Sequence, residues 1–268
     1  MAMRHPDHDR LVQVVPTLYT TPAVEMGYHV ERRPFGFFGR NVYARAQGSV
    51  VVRGLRPHQV PEFLADVRGY FGKDPVRILI DDREAHARLG PALLAAGCSR
   101  AGAQTFLAHV GPVPEAPSVP GLTIEPVTPT TNLDEYVVTK IKGFADSEAE
   151  PAPNLVSDQL ALRRAELAGE GRFLLARWDG TPVAVLAWYE GEDRLLFHLA
   201  TRVPFRNRGI AKALLAHILT DTYRRKCRSI ILFADPDDTP IHLYSRLGFV
   251  DEVYWRQMYR VQTEKAEP

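Results

Sequence analysis

Between residues 122 and 261 the spacing of apolar residues switches repeatedly between two periods. LTIEPVT (122–128) alternates by two, the pattern of a half-buried strand. NLDEYVVTKIKGFAD (132–146) places Leu133, Tyr136, Val137, Ile141 and Phe144 at three- and four-residue steps, which predicts a helix. EAEPAP breaks that pattern, and LVSDQLALRRAELAG (155–169) predicts a second helix stopped by glycine. RFLLARWDGTPVAVLAWYEGEDRLLFHLATRV (172–203) divides into three strands, with WDGTP and EGED as hairpin turns. A long helix over 209–225 ends in YRRKCR, whose cations suit a helix C-terminus. SIILFA (229–234) is an apolar run of the kind found in buried strands. DPDDTPIHLYSRLGF then gives a loop, a short helix and a glycine stop, and VDEVYWRQMYRV a last strand. The order β-α-α-β-β-β-α-β-α-β predicts an α/β fold, a mixed sheet with helices on its faces.

Residues 110–122, VGPVPEAPSVPGL, hold four prolines and two glycines without periodicity, the composition of an extended linker. They split the chain into 1–115 and 116–268. The end of the first half echoes the end of the second: VRILIDD parallels SIILFAD. LGPALLAAGCSRAGAQTFLAHV parallels IHLYSRLGFVDEVYWRQMYRV, with Gly97 matching Gly248. Upstream, NVYARAQGSVVVRGLRPHQVPEFLADVRGYF reads as strands, a loop and a helix.

Composition narrows the function. Hydrophobic residues make up 45% and charged residues 24%, enough apolar material for a real core. The formal net charge of +1, with charges of both signs interleaved, argues against a nucleic-acid partner. The two cysteines, Cys98 and Cys227, form neither a disulfide framework nor a zinc motif, and the nine histidines are scattered, so no metal is expected. No apolar run approaches the ~18 residues of a membrane span, and MAMRHPDHDR has no apolar signal core. These features predict a cytoplasmic protein with no membrane partner.

The chemistry concentrates in VPFRNRGIAKALLAHIL (203–219), where a strand runs into a basic loop and then a helix. The first amides of a helix have no internal partner, and the helix dipole adds partial positive charge there, so such a terminus binds phosphate. Gly209 lets the backbone come close, Ala211 is nearly as small, and Arg206 and Arg208 add charge. Neither G-x-x-x-x-G-K-[ST] nor G-x-G-x-x-G is present.

Arg206-Asn207-Arg208-Gly209-Ile210-Ala211 resembles the R/Q-x-x-G-x-G/A signature of the GNAT superfamily, the GCN5-related N-acetyltransferases. IHLYSRLGF resembles that family's A-x-x-L-Y-x-x-x-G-F segment, with Tyr244, Gly248 and Phe249 at matching positions, and the resemblance covers residues 120–262. It implies the GNAT acyl-CoA acyltransferase fold and transfer of an acetyl or acyl group from acetyl-CoA to a primary amine. The acceptor would be a small molecule or a peptide. It implies that the amides of Arg208, Gly209, Ile210, Ala211 and Lys212 surround the pyrophosphate, with Asn207 beside it. The strand through Leu199, Ala200, Thr201 and Val203 would run along the pantetheine arm, and Tyr244 would protonate the departing thiolate.

Several positions depart from that pattern. The family often has Asn six residues before the tyrosine; here Asp238 stands there, and a carboxylate cannot donate a hydrogen bond. Leu195 and Phe197, on the inner face of the strand before the phosphate loop, are apolar where many members carry a base. His198 is expected on the opposite face, as a core histidine. Glu190, Glu192 and Asp193 sit at the preceding hairpin and are left as bases acting through water. Trp188, Tyr189 and Trp255 are read as strand packing, and Asp235, Asp237 and Asp238 as a turn and helix cap rather than a metal site. In the first half, RGLRPHQVP lacks the phosphate signature and carries two prolines, which have no amide; Leu93 stands where Tyr244 does. That half is expected to be a degenerate GNAT-like or accessory domain in a tandem arrangement. The sequence leaves open a homodimer, and also an acyl-CoA-binding regulatory module without transferase activity.

Overall fold

The computed structural model describes residues 3–15, 28–41, 48–237 and 240–261. Two compact units interleave in sequence. The first comprises Met1–Met26, Leu107–Phe233 and Thr239–Asp251; the second comprises Gly27–Phe106, Ala234–Asp238 and Glu252–Pro268.

The second unit holds β1 (Tyr28–Arg33), β2 (Gly36–Asn41), β3 (Gly48–Val52), α2 (Val60–Phe71), β4 (Val76–Ile80) and α3 (Arg83–Ala95). It also holds most of β5 (Ser99–His109) and of β11 (Phe249–Arg260). β1, β2 and β3 form an antiparallel meander, β3 and β4 are parallel, and β11 lies antiparallel to β4 through Gln257↔Ile80 to Arg260↔Arg77. Phe38, Phe63, Ile78, Leu93 and Tyr259 are buried in its core. Its strand–loop–helix–strand–helix–strand order repeats that of the first unit. Gly97 (φ +86°) and Gly248 (φ +92°) end corresponding helices in the left-handed region, where a side chain would be strained.

The first unit opens with helix α1 (residues 8–15), which the apolar pattern did not predict. Its segment is tied down by charge: His8 Nδ1 lies 2.7 Å from Asp251, and Arg10 reaches Asp193 with both terminal nitrogens at 2.5 and 2.7 Å. Then come β6 (Leu122–Pro126), α4 (Leu133–Phe144), α5 (Pro153–Ala168), β7 (Gly171–Trp178), β8 (Thr181–Tyr189) and β9 (Asp193–Thr201). α6 (Ile210–Arg224), β10 (Ser229–Ala234) and α7 (Pro240–Arg246) follow. The strands run β10-β9-β8-β7-β6; only β10 and β9 are parallel. Leu133, Tyr136 and Val137 of α4 pack on Phe173, Leu175, Val185 and Ala187, while Leu214, Leu215, Ile218 and Leu219 form the buried stripe of α6. The mixed sheet and the element order are those expected. The strand before the phosphate loop ends at Thr201, so Val203 is not part of it; Val203 opens a single 3-10 turn instead. Pro204, with no amide to offer a ladder, stops the strand.

Candidate active site

β9 carries the site because it breaks two regularities at one point. Its pairing with β8 skips a residue: Ala187 faces His198, but Trp188 faces Leu196, leaving Phe197 as a β-bulge. Its parallel ladder with β10 ends at Leu232↔Leu196, immediately before that bulge. Bulges end pairing and re-aim side chains. Beyond Leu196 the strand continues for five residues along β8 without ladder pairs to β10.

The bulge also corrects the expected direction of His198. Before it, Arg194 points toward α6, donating to Thr222 Oγ1 at 2.9 Å. Phe197 packs edge-on to Phe173 and stacks on Tyr189 at 4.2 Å, on the α4 side. His198, next in sequence, also faces that side, 3.2 Å from Tyr136 Oη and 3.2 Å from Arg163. Strict alternation would have sent it the other way. Gly143 allows α4 to lie close to this strand, since a Cβ there would sit 2.9 Å from that of Ala200.

A cavity of about 100 Å³ opens where the strands part, lined by Phe144, Leu196, Phe197, His198, Leu199, Leu215, Leu232, Phe233 and Tyr244. Tyr244, on α7, is 8% exposed and meets Phe249 edge-on. Leu199 is on this lining, and Thr201 lies two residues on with its hydroxyl buried and unpaired. Leu195 is fully buried and is not among the lining residues.

The loop after β9 has the backbone expected of a phosphate cradle. Asn207 (φ +60°) and Gly209 (φ +81°) are left-handed, and Gly209 caps α6. The first backbone hydrogen bond of the helix is Ala213 N–H to Gly209 O, so the amides of Ile210, Ala211 and Lys212 have no helical partner. Both arginines have partners within the protein. Arg206 pairs with Asp146 and donates to Gly143 O and Thr201 O; Arg208 lies over the Trp178 ring at 4.5 Å. Pro117 and Val119, from the proline-rich segment, stand 3.6 and 3.5 Å from where a Gly209 Cβ would be. Asp238 lies outside the described residues. No group of three or more metal-ligating side chains occurs among the described residues, and none of their helices is long and apolar enough to cross a membrane.

Behind His198 stands a buried polar cluster that the residue-by-residue reading missed. Arg163 pairs with Glu166 at 2.9 Å, and Lys140 Nζ donates to Gln159 Oε1 at 2.6 Å. Burial pushes the Glu166 carboxyl up to about 7, against the pull of Arg163 and Lys140, and pushes the Lys140 ammonium down to about 7. Burial, then the charges of Lys140 and Arg163, hold His198 well below its usual range. Arg163 can only donate, so the ring nitrogen it meets must carry a lone pair, which agrees with a neutral imidazole. The signal was available: Gln159, Arg163 and Glu166 recur at four- and three-residue steps on the inward face of α5, where apolar residues belong.

A mixed sheet whose parallel strands part beside a glycine-capped helix is the geometry that the comparisons with known proteins share. Residues 141–249 match the acetyltransferase (GNAT) family. Solved structures extend the likeness to the whole length. A GCN5-related N-acetyltransferase from Kribbella flavida superposes with a TM-score of 0.60 at 17% identity, over 92% of this chain and 93% of its own. One from Sphaerobacter thermophilus gives 0.60 at 19% identity, over 84% and 76%. A tandem GNAT protein from the clavulanic acid biosynthesis pathway gives 0.60 at 14% identity, over 100% and 99%. The tandem fold is thus shared along the entire chain.

Proposed function

We propose that the protein is an acetyl-CoA-dependent N-acetyltransferase acting on a primary amine by direct attack on the thioester. The observation that carries this reading is the parting of β9 and β10 at Leu196/Leu232, beside a helix whose first amides are unpaired, with Tyr244 on the same cavity. The residues fit the co-substrate. Amides 208–212 and Asn207 would hold its pyrophosphate, with no Cβ at Gly209 to obstruct it. The backbone of Leu199 to Thr201, and of Val203 beyond it, would follow the pantetheine arm. Arg206, through Asp146, Gly143 O and Thr201 O, shapes the loop as well as charging it. Bound there, acetyl-CoA supplies an activated acyl carbon.

The chain's own task is to position, desolvate and manage protons. The cavity lining holds no carboxylate, so a charged amine would be poorly solvated and the neutral form is favoured. The new N–C bond forms as the C–S bond breaks. Tyr244 gives its proton to the departing thiolate, and the amine's surplus proton leaves to water. Residues 116–268 form the catalytic domain in this reading, and residues 1–115 a degenerate accessory domain. Calorimetric titration with acetyl-CoA, followed by thiol release over an amine panel, tests it. Saturable micromolar binding with amine-dependent release is expected; absence of binding refutes the proposal.

A further inference from the structure

The acceptor class can be read from what faces the cavity and what stands behind it; this step rests on the acetyltransferase reading above. Four rings follow one another along its α4 side. Tyr189 stacks on Phe197 at 4.2 Å, Phe197 meets His198 at 4.6 Å, and His198 meets Phe144 at 5.8 Å. Phe197, His198 and Phe144 line the cavity itself. Phe144, at the end of α4, is 55% exposed and at the same time lines the cavity beside His198. An exposed aromatic at the mouth of an apolar cavity is a contact surface for an apolar body.

The charges around this wall oppose a polycation. No acidic residue lines the cavity. Directly behind His198 stand the guanidinium of Arg163 and the amine of Lys140, and Glu166, the one carboxylate among them, is ion-paired to Arg163. The carboxylates following α4 each have a cation already: Asp146 has Arg206, Glu148 has Arg202 and Glu150 has Lys142. Polyamines, aminoglycosides and lysine-rich peptides carry extra ammonium groups that need free carboxylates. This site offers none among its described residues, and a buried guanidinium behind the rings repels a second charge.

We propose that the acceptor is a monoamine with an aromatic or branched apolar body, seated against Phe144, Phe197 and His198 with its one amine directed at the thioester. Specificity then comes from ring contact and from the absence of compensating acid.

The test uses the purified full-length chain with acetyl-CoA and follows thiol release. The acceptors are 2-phenylethylamine, isoamylamine, spermidine, kanamycin and a lysine-rich peptide. The two apolar monoamines are expected to exceed the three polycations in kcat/KM by roughly a hundredfold, the scale of a few apolar contacts together with an unmet charge. Phe144→Ala should raise KM for 2-phenylethylamine about tenfold while leaving the acetyl-CoA Kd unchanged. Phe144→Leu should recover most of that loss. Faster turnover of spermidine or kanamycin overturns the acceptor class while leaving the acetyltransferase reading intact. Tight acetyl-CoA binding with no turnover of either monoamine also overturns it. Failure to bind acetyl-CoA at all overturns the reading on which it rests.

Discussion

Replacing Lys140 by methionine tests the buried cluster most directly, because the sign of the effect depends on pH. Methionine keeps the long unbranched stem and removes the charge. Burial brings the ammonium from its ordinary 10.5 to about 7. At about 1.4 kcal/mol per tenfold change in proton affinity, keeping this lysine inside costs about 4 kcal/mol at pH 7. The substitution also removes the 2.6 Å bond to Gln159, leaving a buried amide oxygen unpaired at about 1–3 kcal/mol. The variant should therefore be about 1–3 kcal/mol more stable than the parent at pH 7. Between pH 7 and 10.5 the unfolded lysine is protonated and the folded one is not, so the parent gains stability as pH rises. By pH 10.5 the charge advantage of methionine is gone and only its missing bond remains, so the variant becomes the less stable. Glu166, whose folded carboxyl titrates near 7 and unfolded one near 4.5, acts below this window, lowering stability as pH rises from 4.5 to about 7. Urea unfolding at pH 7, 8.5 and 10.5, followed by tryptophan fluorescence, measures the crossing. A difference that stays constant across that range, or a variant already weaker at pH 7, would show that Lys140 does not carry the buried charge.

Three further outcomes are expected. Gly209→Ala forces a side chain into φ +81° at a site with room for the methyl itself, so about 1–2 kcal/mol of backbone strain should weaken acetyl-CoA binding roughly tenfold by calorimetry. Tyr244→Phe should lower kcat and flatten the alkaline limb of its pH profile while sparing the acetyl-CoA Kd; an unchanged profile removes the tyrosine from the proton path. In the second unit, burial alone would raise the Asp81 carboxyl, but Arg256, together with Tyr254 and Arg53, holds it below its usual value. Asp81→Asn should then cost about 3–5 kcal/mol at pH 7 in chemical denaturation. Because that carboxyl is depressed in the folded state, the penalty is full above its unfolded value near 3.8 and fades as pH falls below it.

The elements from β6 to β11 were legible because each has a clean period and a turn or cap at its ends. β10 falls on 229–234 as read, and α6 begins one residue after the glycine that caps it. Helix α1 escaped because its apolar stripe is short, Leu11 and Val15 one turn apart and both fully buried, amid charged residues that pair with Asp251 and Asp193. Alternation sends His198 to the wrong face because it is a rule of regular strands, and nothing local in LLFHLAT announces a residue left out of register. The cluster of Lys140, Gln159, Arg163 and Glu166 escaped for a different reason: its members look like the solvated face of two amphipathic helices. Which face turns inward is decided by packing, here by Gly143 against Ala200. The composition of the proline-rich segment predicts a linker alone, although Pro117 and Val119 stand beside Gly209 in the loop before α6.

The bulge at Phe197 ties two properties that engineering would prefer to adjust separately. A regular strand is a ruler, giving each face one side chain for every two residues. By skipping one mark, β9 gives two successive rings to the α4 side within a single interval, and at the same mark it stops pairing with β10. The wall and the opening are therefore one deviation in one strand. A substitution that straightens the strand would thin the aromatic surface and close the gap together, and a change that widens the gap would redirect the rings. On the reading proposed above, donor entry and acceptor choice depend on the same single residue.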